Sequence, residues 1–285
     1  MPGAERADAP RAIAPWIETA ADDDLDGTPL VGGLANAGKV VRIGDTVRRP
    51  AGTNRAAMHA LLDHLERVGF DGAPRVLGID ERDRSVLTYV AGDVAMPPYP
   101  AWSASAELLV SVAELQRRYH DAVRGFVPPL DAEWTTALTP GAAPGGALVG
   151  HNDLCLENVV CQDGRAIAFI DFDFAAPVEA LWDVAIALRH WVPVKHPDDL
   201  DEARAGVDHA ARFGAYCDVY GVPEGSRRHV VRLGLRFLDQ AYGAMKARAE
   251  AGLPAYVDAW ANGYGGQNRR AHSWLEANAA VLARA

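Results

Sequence analysis

The pattern of apolar residues changes character once along this chain, and that change limits the folds open to it. Between residues 30 and 90, short apolar runs are broken by Gly, Asp and Pro, and one stretch of helical spacing interrupts them. Gly44 and Asp45 separate two of these runs, as in a tight hairpin, and Asn54 precedes the helical stretch. The order β-β-β-α-β-β predicts a small antiparallel sheet crossed by one helix.

Helical spacing dominates the rest of the chain. The change follows Ala91 and Gly92 and a proline cluster that begins at Pro97, which is typical of a linker. Ser103 or Ser105 is then placed to cap a helix with one apolar face. Three further helices are predicted at about residues 200–220, 226–251 and 256–283.

These boundaries predict an α+β protein with two lobes. Residues 1–28 are expected to be a flexible leader, because they are rich in Pro and Asp. Residues 29–91 would form the N-terminal lobe around the sheet, and residues 92–285 a mainly helical C-terminal lobe. With 285 residues and 49% hydrophobic content, the chain can bury a substantial core without disulfides or metals.

Charge and cysteine content exclude several classes of protein. A formal net charge of -10 argues against binding nucleic acid through its phosphates. Cys155, Cys161 and Cys217 are an odd number without metal-ligand spacing, so neither a disulfide framework nor a zinc site is indicated. No apolar run is long enough to span a membrane. We expect a cytoplasmic protein with neither a nucleic acid nor a membrane as partner.

The central segment of the chain carries polar residues around a predicted hairpin. Two apolar runs are joined by Asp163 and Gly164, a pair that readily forms a type I′ turn. Asn158 precedes the first run and Asp171 follows the second, so pairing of the strands brings both side chains to one end of the hairpin. An amide oxygen and a carboxylate, completed by water and phosphate oxygens, suit Mg²⁺.

Asp153 lies in the loop before this hairpin and could accept a proton from a hydroxyl near a terminal phosphate. Phosphoryl transfer needs little besides positioned oxygens, cations and such a carboxylate. Taken alone, Asp153 is as readily a turn cap, and Asp173 is more readily a turn cap than a second metal ligand. Cys155 has no catalytic partners nearby and is expected to be a buried thiol.

The spacing of these residues resembles a known family. The motif H-x-D-x-x-x-x-N spans residues 151–158, and Ile170 and Asp171 follow at a strand end. Together they resemble the aminoglycoside phosphotransferase and choline kinase-like branch of the protein-kinase fold. The resemblance extends over about residues 30–191 and implies a bilobed kinase-like fold.

The resemblance implies a role for each matching residue in the central segment. Asp153 would be the catalytic base, and Asn158 and Asp171 would be magnesium ligands that bridge to the nucleotide phosphates. His151 would brace the catalytic loop. Asp183 would be the buried aspartate that accepts hydrogen bonds from the loop backbone.

The N-terminal lobe matches the family less closely. Residues 32–38 correspond to the phosphate-covering loop but lack a G-x-G-x-x-G pattern. Arg48 stands in the place of the family's strand lysine, and Met58 and His59 stand nearest the place of its helix glutamate. The resemblance assigns contacts with the nucleotide to Gly32, Gly33, Asn36, Arg48 and the hinge residues Tyr89 and Val90.

The sequence is also similar to actinobacterial phosphotransferases that are often called trifolitoxin-immunity-like, through residues 44–50 and 170–177. The implied activity is Mg²⁺-dependent transfer of the γ-phosphoryl group of ATP or GTP to a hydroxyl of a small molecule, such as an antibiotic or a natural-product intermediate.

Two other functions remain open from the sequence. The substituted strand lysine and helix glutamate would suit a pseudokinase-like immunity protein that binds a toxin without turnover. The D-x-D pattern formed by Asp171 and Asp173 also occurs in phosphatases. However, phosphatases of that type place it on an early parallel strand followed by βα units, whereas only helices are predicted to follow here.

Overall fold

The computed structural model describes residues 27–30, 39–139 and 147–285. The expected leader, residues 1–28, lies almost wholly outside the described residues. Gly32, Gly33 and Asn36, which were expected to cover the phosphates, also lie outside them.

The N-terminal part of the chain forms one antiparallel sheet with a helix. Its elements are β1 (Thr28–Pro29), β2 (Val41–Ile43), β3 (Thr46–Arg49), α1 (Arg55–Arg67), β4 (Val76–Ile79) and β5 (Ser85–Thr88). The strands lie in the order β1-β2-β3-β5-β4, and every neighbouring pair is antiparallel. Gly44 has φ of 59°, which allows the tight turn between β2 and β3. The predicted order of strands and helix is confirmed.

Helix α1 packs its apolar face against the core. Met58, Leu61, Leu62 and Leu65 are at most 3% exposed, as their spacing predicts. Gly69 follows the helix with φ of 77°, a conformation that favours glycine after a helix end.

The C-terminal part of the chain is mainly helical, with two small antiparallel sheets. Its elements are β6 (Asp93–Val94), α2 (Ala106–Val123), β7 (Leu148–Gly150), β8 (Val159–Gln162), β9 (Arg165–Phe169), β10 (Ala176–Val178), α3 (Ala180–Trp191), α4 (His209–Tyr220), α5 (Glu224–Glu250), α6 (Pro254–Ala261) and α7 (Tyr264–Leu282). The sheets have the orders β6-β8-β9 and β10-β7. Over the described ranges, no helix is both long and apolar enough to cross a bilayer.

Helices α2 and α3 form the centre of the core beneath these two sheets. Ser105 caps α2 by accepting a hydrogen bond from the backbone of Leu108 at 3.1 Å. The Tyr119 hydroxyl on α2 donates to the Val149 carbonyl at 2.9 Å, and both Tyr119 and Trp182 are fully buried. The end of β7, from which the loop to β8 begins, is therefore packed against the buried residues of α2 and α3.

Two of the predicted helices differ from those found. The helix expected at about residue 200 begins at His209, because residues 197–204 form two short 3₁₀ turns and Asp208 caps α4. The single helix expected at 256–283 is divided into α6 and α7, because Gly263 adopts φ of 91° between them.

Candidate active site

The hairpin of β8 and β9 gathers the polar residues of the central segment. Asp163 and Gly164 have φ of 50° and 76°, as a type I′ turn requires, and the two strands pair antiparallel. The backbone N–H of Ile170 donates to the Asn158 carbonyl at 3.0 Å, which closes the open end of the hairpin. The structure thus brings Asn158 and Asp171 to the same end.

Asn158 also holds Asp153 in place. Its amide nitrogen donates to the backbone carbonyl and to Oδ2 of Asp153, both at 2.9 Å. Because the nitrogen is committed to Asp153, the Oδ1 atom of Asn158 is the one left to face a cation. Asn158 is only 6% exposed, so its orientation is fixed by its surroundings.

The environment of Asp153 favours the neutral carboxyl group. Burial raises the pKa of Asp153 to about 7, and the negative charges of Asp171 and Glu157 act in the same direction. The hydrogen bond from Asn158 acts in the opposite direction. A carboxylate with a pKa near neutral pH is suited to accept a proton from a substrate hydroxyl.

Arg49, the last residue of β3, contacts both carboxylates at the strand end. Its Nη2 atom lies 3.1 Å from Oδ1 of Asp171 and also pairs with Asp173. Burial opposes the charge of Arg49, yet the two carboxylates outweigh it and raise its pKa above the usual value. Burial and the neighbouring Asp171 raise the pKa of Asp173 to about 6. This three-residue ion pair connects the N-terminal sheet to the catalytic hairpin.

Arg48 lies elsewhere, which corrects the expectation that it takes the place of the strand lysine. Its Nε atom is 3.6 Å from Oδ2 of Asp80, and its Nη1 atom donates to Thr46 at 2.5 Å. Successive side chains of a strand point to opposite faces, so Arg48 and Arg49 cannot both face the hairpin. Arg49 is the strand cation at this site.

Met58 and His59, the residues of α1 nearest the place of the family's glutamate, give Arg49 no negatively charged partner. Nη1 of Arg49 donates a hydrogen bond to the Sδ atom of Met58 at 3.8 Å. His59 instead lies 2.9 Å from the Ser85 hydroxyl. Arg49 is therefore paired with the two aspartates of the hairpin end rather than with α1, and His59 does not pair with Arg48.

Asp183, near the start of α3, anchors the loop of residues 151–158, the predicted catalytic loop. It is fully buried and accepts hydrogen bonds from the backbone of Asn152 at 2.6 Å, from Gln116 at 3.0 Å and from His120 at 2.9 Å. Burial acts to raise its pKa, but these donors, led by His120, hold the pKa below the usual value. Asn152 itself has φ of 61°, a strained conformation that the Asp183 bond stabilises.

His151 connects the catalytic loop to the end of β9. Its Nε2 atom lies 3.0 Å from the Ile170 carbonyl, and its ring packs on Phe172 at 4.6 Å between centroids. Burial lowers the pKa of His151, so the ring is neutral and Nε2 donates to the carbonyl. The contacts are those of a positioning residue.

Tyr89 and Val90 follow β5 where the chain leaves the N-terminal sheet, and both are half-buried. The Tyr89 N–H donates to the Asp45 carbonyl at 2.8 Å, and its ring lies 3.7 Å below the Arg42 guanidinium. The Tyr89 N–H is therefore committed to a hydrogen bond within the protein.

Several residues of the site were missed by sequence reasoning. Asn54, predicted to cap α1, makes no capping bond and instead donates to the backbone carbonyl of Asp173 at 2.9 Å. Gln116 and His120 were detectable as polar residues one turn apart on the apolar face of α2. Arg49 was indistinguishable from its neighbour without the strand register.

The donor atoms at the hairpin end fit a hard cation bound together with a phosphate. Within the described ranges, no group of three or more His, Cys, Asp or Glu residues could hold a metal ion alone. Asn158 and Asp171 instead offer one amide oxygen and one carboxylate, so phosphate and water oxygens would have to complete the coordination of Mg²⁺. That requirement suits a nucleotide-dependent metal site.

Comparisons with known proteins find similarity in sequence and in fold. Residues 127–216 match the family described as the phosphotransferase enzyme family. A trifolitoxin immunity protein of Rhizobium leguminosarum bv. trifolii is 34% identical over 170 residues, which cover 59% of this chain and 63% of that protein. The chain thus spans less than two thirds of this curated relative.

Solved structures show the same fold. A choline/ethanolamine kinase family protein of Mesorhizobium loti superposes with a TM-score of 0.61 at 19% identity, covering 94% of this chain and 96% of its own. An amicoumacin kinase in complex with AMP-PNP and Ca²⁺ gives a TM-score of 0.51 at 14% identity, covering 73% and 80%. This chain therefore has the bilobed kinase-like fold, and its residues 127–216 are similar to the phosphotransferase enzyme family.

Proposed function

We propose that this protein is a Mg²⁺-dependent phosphotransferase that moves the γ-phosphoryl group of ATP or GTP to a hydroxyl of a small molecule. The observation that carries the proposal is the position of Asp153. It is a half-buried carboxylate with a pKa raised to about 7, oriented by Asn158 and within the electrostatic influence of Asp171, the proposed cation ligand. This is the constellation that phosphoryl transfer needs.

Asp153 would orient the acceptor hydroxyl and take its proton. The hydroxyl oxygen forms a bond to the γ-phosphorus while the bond from that phosphorus to the leaving oxygen breaks, so the nucleoside diphosphate departs. The proton passes to Asp153, and Asn158 keeps the receiving carboxylate in position through its bond to Oδ2. Asp183 and His151 keep the loop in this geometry.

Asn158 and Asp171 would hold Mg²⁺, which when bound neutralises the charge on the phosphate oxygens. Arg49 now occupies one oxygen of Asp171 and pairs with Asp173. Arg49, which pairs with both aspartates, would supply positive charge near the bound phosphates. Tyr89 and Val90 would bind the base, and Gly32, Gly33 and Asn36 would cover the phosphates.

The comparisons support a small-molecule acceptor and a nucleoside triphosphate donor. The amicoumacin kinase that shares the fold binds AMP-PNP and a divalent cation. The related Rhizobium protein confers immunity to a toxin. We therefore place the acceptor among antibiotics and natural-product intermediates, and the reaction in the cytoplasm, where the donor and Mg²⁺ are available and the free cysteines stay reduced.

The test is ADP or GDP formation with a panel of hydroxyl compounds, with and without Mg²⁺. We expect Asp153→Asn to lower kcat by roughly 10²–10⁴. Asp171→Asn should lose the stimulation of activity by Mg²⁺. Asp131→Asn, which changes an exposed aspartate in a loop, is the matched control and should retain full activity. Turnover by Asp153→Asn at the rate of the unaltered protein would show that the base is wrongly assigned.

A second function, immunity by binding without turnover, is favoured by one observation. Arg49 pairs with both Asp171 and Asp173, and such an ion-pair set can hold a fold together without a metal. Magnesium-dependent nucleotide binding in a thermal-shift assay, combined with no product across the whole panel, would favour this function over catalysis.

A further inference from the structure

A group of positively charged residues lies at the C-terminal end of α3 and in the segment that follows it. It consists of Arg189 at the end of α3, Lys195 in the turn that follows, and Arg204. Trp191 fastens this end of α3 to the catalytic loop, since its Nε1 atom donates to the Leu154 carbonyl at 3.0 Å. The Val194 N–H donates to the Arg189 carbonyl at 2.9 Å, which folds the turn back and brings Lys195 to the group.

Arg204 is the fixed member of this group. It is 4% exposed, and its Nε atom donates to Asp201 at 2.8 Å while Nη1 donates to the His190 carbonyl at 3.1 Å. Its guanidinium lies 4.5 Å from the centre of the Tyr99 ring, and the Tyr99 hydroxyl donates to Glu157 at 2.6 Å. Arg204 is therefore connected through Tyr99 to Glu157, which lies in the loop before β8.

Within the described part of the chain, neither Arg189 nor Lys195 forms an ion pair within 4 Å. The Nε atom of Arg189 is buried without a hydrogen-bond partner there, and its Nη1 atom lies 3.2 Å from the ring of His190. The Arg189 guanidinium also lies 5.7 Å from the centre of the Phe237 ring. Of the two carboxylates whose charges act on Lys195, Asp201 accepts from Arg204 through Oδ2 alone, and Glu157 accepts from the Tyr99 hydroxyl.

These charges repel one another. Burial, and then the charges of Arg204 and Arg189, lower the pKa of Lys195, although Asp201 and Glu157 act against this shift. The bond from Trp191, two residues from Arg189, to the carbonyl of Leu154, the residue after Asp153, places this end of α3 against the loop that carries Asp153. Keeping unpaired cations together is costly, and an incoming anion would relieve that cost.

We propose that the acceptor carries an anionic group, a carboxylate or a phosphate, which Arg189 and Lys195 bind while its hydroxyl reaches Asp153. The proposal rests on the proposed function and specifies the class of its acceptor. A guanidinium and an ammonium together suit the oxygens of either anion. A cationic acceptor such as choline would be repelled by the same pair.

The test uses compounds that share two hydroxyls and differ in charge: glycerate, glycerol 3-phosphate, glycerol and 3-amino-1,2-propanediol. Binding is measured by thermal shift at low salt without nucleotide, on the unaltered protein and on Lys195→Gln, Lys195→Arg and Lys246→Gln. Lys246 is a half-exposed lysine that pairs with Glu250 on α5 and serves as the control. Glycerate and glycerol 3-phosphate separate the carboxylate from the phosphate.

We expect one or both anionic compounds to raise Tm more than glycerol does, with the aminodiol weakest. Lys195→Gln should weaken the anion's apparent affinity about tenfold or more, whereas Lys195→Arg and Lys246→Gln should retain it. Equal shifts for all four compounds, no shift for any, or a Lys195→Gln protein that binds like the unaltered one would overturn the proposal.

A parallel assay of ADP formation separates this proposal from the proposed function. Anion binding that requires Lys195, without turnover of ATP or GTP under any condition, would support the anion site and contradict the kinase activity. Turnover with neutral or cationic acceptors alone would support the kinase activity and contradict the anion site.

Discussion

Arg48 and Arg49 are neighbours in the sequence and belong to different environments in the structure. Arg49 is buried with two carboxylates, whereas Arg48 lies on the other face of β3 beside Asp80. Chemical type alone could not distinguish them, because both are arginines and the face of a strand depends on its register. The hairpin that carries Asn158 and Asp171 was predictable, because the Asp163 and Gly164 turn depends on adjacent residues only.

The two arginines should differ in their effect on stability. Arg49→Ala leaves Asp171 and Asp173 without their cation in a partly buried site, and we expect a loss of about 1–3 kcal/mol. Arg48→Ala removes a more weakly formed ion pair and should cost about 1 kcal/mol or less. Urea unfolding at neutral pH measures both changes. Equal losses for the two variants would contradict the assignment of Arg49 to the site.

Asp183 gives a prediction about acid stability. Burial favours its neutral form, but the hydrogen bonds led by His120 hold its pKa below the usual value, so Asp183 binds fewer protons in the folded state than in the unfolded state. Its contribution is therefore present above the unfolded pKa of about 3.9 and is lost as the pH falls further. We expect the gap in unfolding free energy between the unaltered protein and Asp183→Asn to shrink between about pH 5 and pH 3.

The same urea series on Asp131→Asn provides the reference, since Asp131 is exposed and should show a small gap at every pH. A gap for Asp183→Asn that stays constant down to pH 3 would mean that the carboxylate is not held in its charged form.

At the level of helices and turns, the sequence predicted correctly those features that depend on neighbouring residues. The Asp163 and Gly164 turn, the apolar face of α1 and the Ser105 cap each depend on a few adjacent residues. The 3₁₀ turns before α4 and the position of Asn54 depend instead on contacts with distant parts of the chain. The break before α7 was signalled by Gly263, which was not read as a helix end.

The close packing around Gly150 in β7 leaves no room for a side chain, and this can be tested. A Cβ atom added there would lie 2.6 Å from Val178 Cγ2 and 3.0 Å from Cβ of Asp183. Gly150→Ala should therefore displace α3 from the catalytic loop and cost about 1–3 kcal/mol. Gly243→Ala in α5 meets no atom within 4 Å and should stabilise the protein by about 0.5–1 kcal/mol. Thermal unfolding of both variants checks the opposite signs, and a tolerated Gly150→Ala would disprove the close packing.

At the level of the whole molecule, the site draws on both parts of the fold. Arg49 and Asn54 come from the N-terminal sheet and the start of α1, and both bond to the end of the catalytic hairpin. The backbone of Phe169 in β9 also donates to the Gly72 carbonyl at 2.9 Å. The fold class and the two-part arrangement were predicted from the change of periodicity, but these cross-connections were not, because they join residues about a hundred or more positions apart.

A ligand that bridges the two parts should stabilise the whole molecule, and the increment should depend on the metal. Nucleotide bound at 100 times its Kd adds about 2.7 kcal/mol, which for a chain of this size raises Tm by roughly 5 °C. We expect ATP or GTP with Mg²⁺ to give this shift, and the same nucleotide with EDTA to give a smaller one. Asp171→Asn should lose the increment due to Mg²⁺ while Asp131→Asn retains it, since only the former removes a proposed ligand. If Mg²⁺ increases the shift of Asp171→Asn as much as that of the unaltered protein, then the metal binds elsewhere and the hairpin end is a structural ion pair.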